Sequence, residues 1–137
     1  MNETSNLSHS KLRSRLFLIN KQVIFDFAAK FDPQPYHLDQ SAAEASFFGG
    51  LCASGWQVAT LATQLTGEVL LEAGIPFIDL TSIEKLKWEQ PTFVDEFISV
   101  EITLGERSPE STIPLCDNLS VEISVLSRNS KVLASLL

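Results

Sequence analysis

The apolar residues in the first third of the chain recur at helical spacing. Between residues 21 and 30 they fall every three or four positions, with polar side chains between them, which predicts an amphipathic helix. Asn20 precedes this stretch and is a suitable N-cap, because its short side chain can accept from the first free N–H groups of a helix. The apolar stripe consists of Val23, Ile24, Phe27, Ala28 and Phe31.

A stiff, non-helical segment is expected at residues 31–39, which have the sequence Phe-Asp-Pro-Gln-Pro-Tyr-His-Leu-Asp. Proline disfavours the α conformation of the residue before it, so Asp32 and Gln34 are expected to be extended. The segment is therefore predicted to be an extended loop. Because its backbone is already restricted, such a loop can hold Asp32 and His37 facing one small volume at little ordering cost. We interpret it as a reaction site.

The most buried element is expected after this loop. Ser41 and Glu44 fit an S-x-x-E capping box, which predicts a brief helix before the following glycine pair. From residue 45 to residue 67 there is no charged side chain. Within this run, residues 51–66 are long enough for about four helical turns.

A transmembrane span and a core helix are the competing interpretations of residues 51–66, since roughly twenty apolar residues would cross a bilayer. Gln57, Thr60 and Gln64 recur at intervals of three and four residues and form one narrow polar stripe. A helix with a single polar seam favours a core helix wrapped by a sheet, with the seam facing a cavity or a partner. We therefore predict a core helix. The apolar positions that cover the rest of it are Leu51, Trp56, Ala59, Ala62 and Leu65.

The second half of the chain alternates apolar and polar residues with a period of two, as strands do, most clearly at residues 97–104. Helices followed by antiparallel strands define an α+β domain, and the least costly arrangement is a curved sheet wrapped around the long helix. Strands are predicted at residues 13–19, 81–89, 97–104, 121–125 and 131–137, the last two as a hairpin through a tight turn at 128–130, with connections at 90–96 and 105–118.

Composition limits the classes of partner. A chain of 137 residues that is 45% hydrophobic can bury one proper core and is too short for two ordinary domains. The formal net charge of −7 has the wrong sign for a protein that neutralises phosphates along a nucleic acid. We expect neither nucleic acid nor an anionic membrane as a partner.

The two cysteines, Cys52 and Cys116, lack the C-x-x-C spacing of a metal or redox site and are too few for a disulfide framework. No metal site is expected. The apolar run at residues 16–19 is far shorter than the core of a signal peptide. We therefore predict a cytoplasmic protein, with a loose leader at residues 1–10 and a single domain at residues 11–137.

Three motifs resemble those of the MaoC-like dehydratases, the (R)-specific enoyl-CoA hydratases with the hotdog fold. Residues 32–39 resemble the family's D-x-N-P-x-H-x-D loop. Residues 48–55, Phe-Gly-Gly-Leu-Cys-Ala-Ser-Gly, are similar to F-G-x-x-I-A-H-G at the same separation. Lys87-Trp88, followed by Pro91 and Asp95, resembles R-W…P-V-x-x-G-D. The resemblance covers essentially the whole chain after the leader and implies a MaoC-like hotdog domain.

The chain departs from the family pattern at three positions. Phe31, Gln34 and Ser54 stand where the family usually has glycine, asparagine and histidine. The combination of F-D-P-Q-P-[FY]-H with A-S-G resembles one branch of the family, and the chain is identified as a member of that branch.

The resemblance implies that water is added across the C2=C3 bond of an enoyl thioester, or removed in reverse. This needs a base for the water, an acid for C2 and a donor for the thioester oxygen. Asp32 is implied as the base, and His37 as the partner that orients the water and shuttles the proton. The backbone N–H of Gly55 is implied as the oxyanion donor, with Ser54 and Gln34 as further substrate-contacting residues. No cofactor is implied, because coenzyme A enters as part of the substrate.

Simpler interpretations stand beside these. Without the motif, Asp32 is an ordinary turn former before proline. Ser54 and Cys52 have no base nearby in the sequence, so taken alone they are small packing residues and not nucleophiles. His9 is expected to be solvated, and Asp39 and Glu44 to be capping and surface groups. Two alternatives are open for the polar stripe, which either lines an acyl cavity or bridges to a partner helix. Two are also open for the cations, which either meet the phosphates of coenzyme A or form a solvated face; these are Lys85, Lys87 and Arg107.

Three functions are consistent with the resemblance. The first is a hydratase or dehydratase acting on acyl-CoA or another acyl thioester. The second is a thioesterase, which is disfavoured because hotdog thioesterases commonly carry a carboxylate on or beside the central helix and residues 51–66 have none. The third is a non-catalytic acyl-thioester binder. All three imply a homodimer whose two sheets join edge to edge, with a higher assembly of dimers as a further possibility.

Overall fold

A computed structural model describes residues 10–109 and 117–127, and the backbone of residues 132–136. Residues 1–9 of the leader predicted at 1–10, with His9, lie outside the described residues, as do the turn at 128–130 and Cys116. The strands are β1 (Lys11–Arg13), β2 (Phe17–Ile19), β3 (Leu86–Trp88), β4 (Glu96–Ser108), β5 (Asn118–Ser127) and β6 (Val132–Leu136). The helices are α1 (Lys21–Phe31), α2 (Pro35–Leu38), α3 (Gln40–Glu44) and α4 (Gly55–Glu72).

The strands form one antiparallel sheet in the order β1-β4-β5-β6-β3, with β2 also paired to β4. β1 and β2 both pair with β4, one after the other. β1 pairs with residues 101–103 of β4, and β2 pairs with residues 96–98. β5 and β6 are antiparallel neighbours, which confirms their predicted pairing. The combination of one antiparallel sheet with helices confirms the predicted α+β class.

The core lies between the long strand β4 and the helix α4. The apolar face predicted for β4 is confirmed, since Ile98, Val100 and Ile102 are each 0% exposed, but Ser99, expected on the polar face, is also buried. From the helix, Ala62 and Leu65 are also completely buried and belong to the same cluster. Each large aliphatic side chain buried in this way contributes about 1.5–3 kcal/mol to folding.

Helix α1 begins as predicted. The side chain of Asn20 accepts a 2.8 Å hydrogen bond from the backbone N–H of Val23, so the expected N-cap is confirmed. The helix buries Ile24 and Ala28 and ends at Phe31.

The predicted boundaries of the central helix are wrong at both ends. Residues 51–54 are extended and pair with the chain before β4: Ala53 N–H donates to Thr92 O at 2.8 Å, and Val94 N–H donates to Leu51 O at 3.0 Å. The helix starts only at Gly55. It continues past the uncharged run to Glu72, because charged side chains are tolerated where the helix reaches the surface. There Glu68 accepts from Arg15 at 2.9 Å, a hydrogen bond that lowers the pKa of Glu68.

The predicted single polar seam on this helix is also wrong. Gln57 is buried and donates to the carbonyl of Val23 at 2.8 Å, whereas Thr60 and Gln64 are exposed. The reason is that α1 covers the first turns of α4 and leaves the later turns of the same face open. Trp56, expected to be buried, is 59% exposed.

The segment between α1 and α4 contains more helix than predicted. Gln34 is extended, as expected before proline, but Pro35 opens one helical turn, α2, at the position where proline is favoured. Helix α3 is capped by Asp39, whose Oδ1 accepts from Ala42 N–H at 2.9 Å. The capping box at Ser41 is therefore wrong, and the interpretation of Asp39 as a capping group is confirmed.

Several strand boundaries also differ from the prediction. The strand expected at 13–19 is split into β1 and β2, because Ser14 bonds Val100 through both its N–H and its hydroxyl. The strand expected at 81–89 is reduced to β3. β4 runs on to Ser108, so the predicted connection at 105–118 is shorter. No helix in the described part of the chain is long and apolar enough to cross a membrane.

Candidate active site

The backbone of Asp32 is fixed where α1 ends. Its N–H donates to Ala28 O at 2.9 Å, and its carbonyl accepts from Gln34 N–H at 2.7 Å. Its side chain is 22% exposed. The carboxylate is therefore held on a rigid turn and still reaches solvent.

His37 lies on the single turn of α2 and is almost completely buried, at 5% exposure. Its Nδ1 lies 2.7 Å from the carbonyl oxygen of Cys52. A carbonyl oxygen can only accept, so Nδ1 carries a proton and the neutral ring has its lone pair on Nε2. The edge of the ring also meets Tyr36, with centroids 4.6 Å apart.

The carboxylate and the imidazole converge, as the sequence predicts. Nε2 of His37 lies 3.4 Å from Oδ2 of Asp32. In the neutral ring both atoms are acceptors, so a proton donor beside them that reaches both, or a proton on the ring, is needed to make their contact favourable. A water molecule that donates to both groups satisfies this requirement.

Ser54 joins the pair from the start of α4. Its hydroxyl donates to Oδ2 of Asp32 at 2.7 Å, and the residue is completely buried. The interpretation of Ser54 as a packing residue without a base nearby is wrong, because the fold brings a carboxylate to it across 22 residues of sequence.

Gly55 is the first residue of α4, next to Ser54. The N–H groups of a first helical turn have no acceptor within the helix and lie at the positive end of its dipole. The indole of Trp88 packs against this glycine, and its Nε1 donates to Gly55 O at 2.8 Å. The expected oxyanion donor and the Asp32 carboxylate therefore lie at the same end of α4.

Cys52 lies beside the imidazole but is not a nucleophile in this arrangement. Burial raises the pKa of its thiol to about 11, so the thiol stays protonated near neutral pH. Its Sγ is 3.9 Å from His37 Nδ1, which contradicts the expectation that no base lies nearby. That nitrogen already donates to the Cys52 carbonyl and cannot take a proton from the thiol.

The remaining candidate residues lie at the surface. Gln34 is exposed and occupies the N-cap position of α2 without a side-chain capping bond. Lys87 pairs with Glu89 at 3.5 Å, and Arg107 pairs with Asp117. These two cations belong to exposed ion pairs, in agreement with a solvated face.

Sequence reasoning missed two partners in the site. The carbonyl of Cys52 orients the imidazole, but a backbone atom leaves no mark on residue identity. Trp88 was noted only as part of a motif. Its contact with Gly55 joins residues 33 positions apart and depends on the pairing of β3 in the sheet.

Comparison with known proteins agrees with this architecture. The MaoC like domain family matches residues 6–114 of the chain. A curated relative, the uncharacterized protein YdeM of Bacillus subtilis, is 25% identical over 101 residues, which are 72% of this chain and 69% of the relative.

Solved structures extend the comparison to three dimensions. The MaoC-like dehydratase from Rhodospirillum rubrum is 26% identical with a TM-score of 0.78, covering 99% of this chain and 92% of that one. The (R)-hydratase from A. caviae involved in PHA biosynthesis has a TM-score of 0.75 at 18% identity, covering 94% and 91%. The predicted hotdog fold, an antiparallel sheet around a central helix, is confirmed.

Proposed function

Because this chain belongs to the MaoC-like domain family, we propose that it hydrates an enoyl thioester and catalyses the reverse dehydration of a 3-hydroxyacyl thioester. The observation that carries the proposal is the approach of Asp32 and His37 to 3.4 Å beside the start of α4. Acyl-CoA is the proposed substrate, and another acyl-thioester carrier is the alternative. The reaction needs no cofactor.

The proposed base is the Asp32 carboxylate. One water molecule donates one hydrogen to Asp32 and the other to the bare Nε2 of neutral His37. As the water oxygen forms its bond to C3, its first proton passes to Asp32 and the C2=C3 electron pair moves towards the thioester carbonyl. Base catalysis by a positioned side chain of this kind typically contributes about 10²- to 10⁴-fold.

The proposed acid is the same Asp32, now protonated. It returns the proton to C2 as the enolate collapses, so the net change is one water added and the carboxylate regenerated. In this scheme His37 orients the water and does not itself change charge. The hydrogen bond from Nδ1 to Cys52 O, at 2.7 Å, supports the tautomer that this role requires.

The proposed oxyanion donor is the N–H of Gly55. Negative charge grows on the thioester oxygen during addition, and a donor at a helix N-terminus stabilises it most where water is excluded. One such donor is typically worth about 3 kcal/mol in the transition state. Its place next to Ser54, which touches Asp32, supports simultaneous contact with one substrate.

We further propose a homodimer formed along β3. In the described part of the chain β3 has β6 as its one neighbour, so its other edge can pair with a second copy. Large apolar side chains are exposed at the end of α4, in the segment that leads to β3 and on β3 itself, which is typical of a surface that a partner covers. These are Leu71, Phe77, Ile78, Leu80, Ile83 and Trp88. Light scattering should give about twice the chain mass of 15.1 kDa; a monomer at micromolar concentration would contradict this proposal.

The cellular location stays a prediction. A cytoplasmic site of action rests on the two cysteines of the sequence, of which Cys52 is free.

The proposed activity is tested with crotonyl-CoA as substrate. Loss of the conjugated enoyl absorbance without release of free thiol supports hydration, and His37→Ala should abolish most of it. Release of free thiol would instead indicate a thioesterase. Saturable binding without turnover, across short and long acyl chains, would indicate a non-catalytic binder and refute the proposal.

A further inference from the structure

Ser54 occupies a position where serine normally serves the helix that follows it. At an N-cap, a serine oxygen accepts a hydrogen bond from the backbone N–H two or three residues later. Ser54 is the N-cap of α4, but its side chain makes no capping bond. Its hydroxyl instead donates to Oδ2 of Asp32 at 2.7 Å.

The hydrogen bond from Ser54 to Asp32 has two consequences in the site. The N–H groups of Trp56 and Gln57, which a capping serine would bond, keep no side-chain acceptor from Ser54. Together with the N–H of Gly55, which precedes them at the start of α4, they leave this helix end uncapped by Ser54. The carboxylate of Asp32, in turn, receives its hydrogen bond at one defined oxygen. Among the described residues, Oδ1 of Asp32 has no hydrogen-bond partner, while Oδ2 also lies 3.4 Å from His37 Nε2.

A carboxylate needs such a constraint to act in one geometry. The terminal torsion of aspartate is broad and roughly two-fold, so either oxygen could face His37 if nothing distinguished them. A short hydrogen bond to a charged acceptor is about twice as strong as a neutral one. Ser54 is 0% exposed, so its hydroxyl has no competing water.

We propose that Ser54 is a positioning residue for Asp32: its buried hydroxyl fixes the carboxylate so that one oxygen faces the reacting water, and it leaves the N-terminus of α4 uncapped for the thioester oxygen. This inference rests on the proposed hydratase function, because it assigns Asp32 as the base. Ser54 does not touch substrate in this account, in contrast to the role implied by the family resemblance.

The test compares Ser54→Ala with a matched control, Ser99→Ala. Ser99 is also buried, at 1% exposure, but its hydroxyl has no partner among the described residues. Ser54→Ala should lower kcat by about 10- to 100-fold, the range for losing a hydrogen bond to a charged group, and leave KM nearly unchanged. Ser99→Ala should keep wild-type kcat and KM.

A double variant separates positioning of Asp32 from a general structural effect. In an Asp32→Asn background, Ser54→Ala should cause no further loss. Wild-type kcat in Ser54→Ala, or a full additional loss in the double variant, would overturn the inference.

A measurement without turnover keeps this inference separate from the proposed function. A double-mutant cycle on urea unfolding measures the coupling between Ser54 and Asp32 directly, with Ser54→Ala, Asp32→Ala and the double variant. The losses of stability from Ser54→Ala and Asp32→Ala should be less than additive, whereas those from Ser99→Ala and Asp32→Ala should add. An inert wild type with the Ser54–Asp32 coupling would refute the hydratase and keep the coupling; additive losses for Ser54→Ala and Asp32→Ala would refute the coupling whatever the activity.

Discussion

Gly55 has no room for a side chain, because the indole ring of Trp88 lies against it. An ideal Cβ at this position would lie 2.8 Å from Cε2 and from Nε1 of that ring. In Gly55→Ala either the ring or the start of α4 must therefore move.

The expected loss of stability in Gly55→Ala follows from the two contacts that hold the Trp88 ring. Trp88 donates to Gly55 O at 2.8 Å, and its ring meets Trp56 edge-on with centroids 5.1 Å apart. Displacing the ring loses about 1 kcal/mol for the hydrogen bond and about 0.5–1.5 kcal/mol for the aromatic pair. The higher helix propensity of alanine returns up to about 1 kcal/mol. We expect Gly55→Ala to lower the free energy of unfolding by about 1 kcal/mol.

The assay is urea unfolding followed by circular dichroism, in the wild type and in a Trp88→Ala background. Without the indole, alanine at position 55 should be neutral or slightly stabilising. The two tryptophans of the chain, Trp56 and Trp88, both lie at this spot, so tryptophan emission should change in Gly55→Ala. An equal loss of stability in both backgrounds, or an unchanged emission spectrum, would refute the contact.

Three other predictions follow from the described structure. Asn20→Ala should lower the free energy of unfolding by about 1 kcal/mol through loss of the cap on α1, while Asn20→Ser should retain most of it; urea midpoints compare the two. Asp95 has a φ of 68°, a region that glycine adopts freely, so Asp95→Gly should match or exceed the wild-type melting temperature, whereas Asp95→Val should melt lower by an amount equivalent to about 1–2 kcal/mol. The folded-state pKa of the Cys52 thiol is raised from 9.0 to about 11; between these values the unfolded thiol loses its proton first, so stability should fall as pH rises through this window and should fall less in Cys52→Ala.

The spacing of apolar residues along the sequence was sufficient to predict the elements that bury one regular face. Helix α1 and strand β4 have one apolar face each, and Asn20 has the side chain that a helix start needs. The start of α4 was not predictable in this way, because Leu51, Cys52 and Ala53 are apolar and suit a buried helix as well as a buried extended segment. Their pairing with residues 92–94, a long-range contact, decides that they are extended.

In the site, too, local contacts could be predicted from the sequence and long-range contacts could not. Asp32 and His37 could be predicted together because prolines restrict the short chain between them. The hydrogen bond from Ser54 could not, since it depends on how the end of α1 meets the start of α4. The turn of helix at Pro35 was missed because proline restrains the residue before it and also suits a first helical position.

The proposed hydration depends most on Asp32 as the base that activates water. The direct measurement is single-turnover hydration of an enoyl thioester by Asp32→Asn, with substrate binding measured in parallel. We expect binding within a few-fold of wild type and a hydration rate lower by about 10³-fold, within the range for removal of a general base. A hydration rate within tenfold of wild type would contradict this role of Asp32.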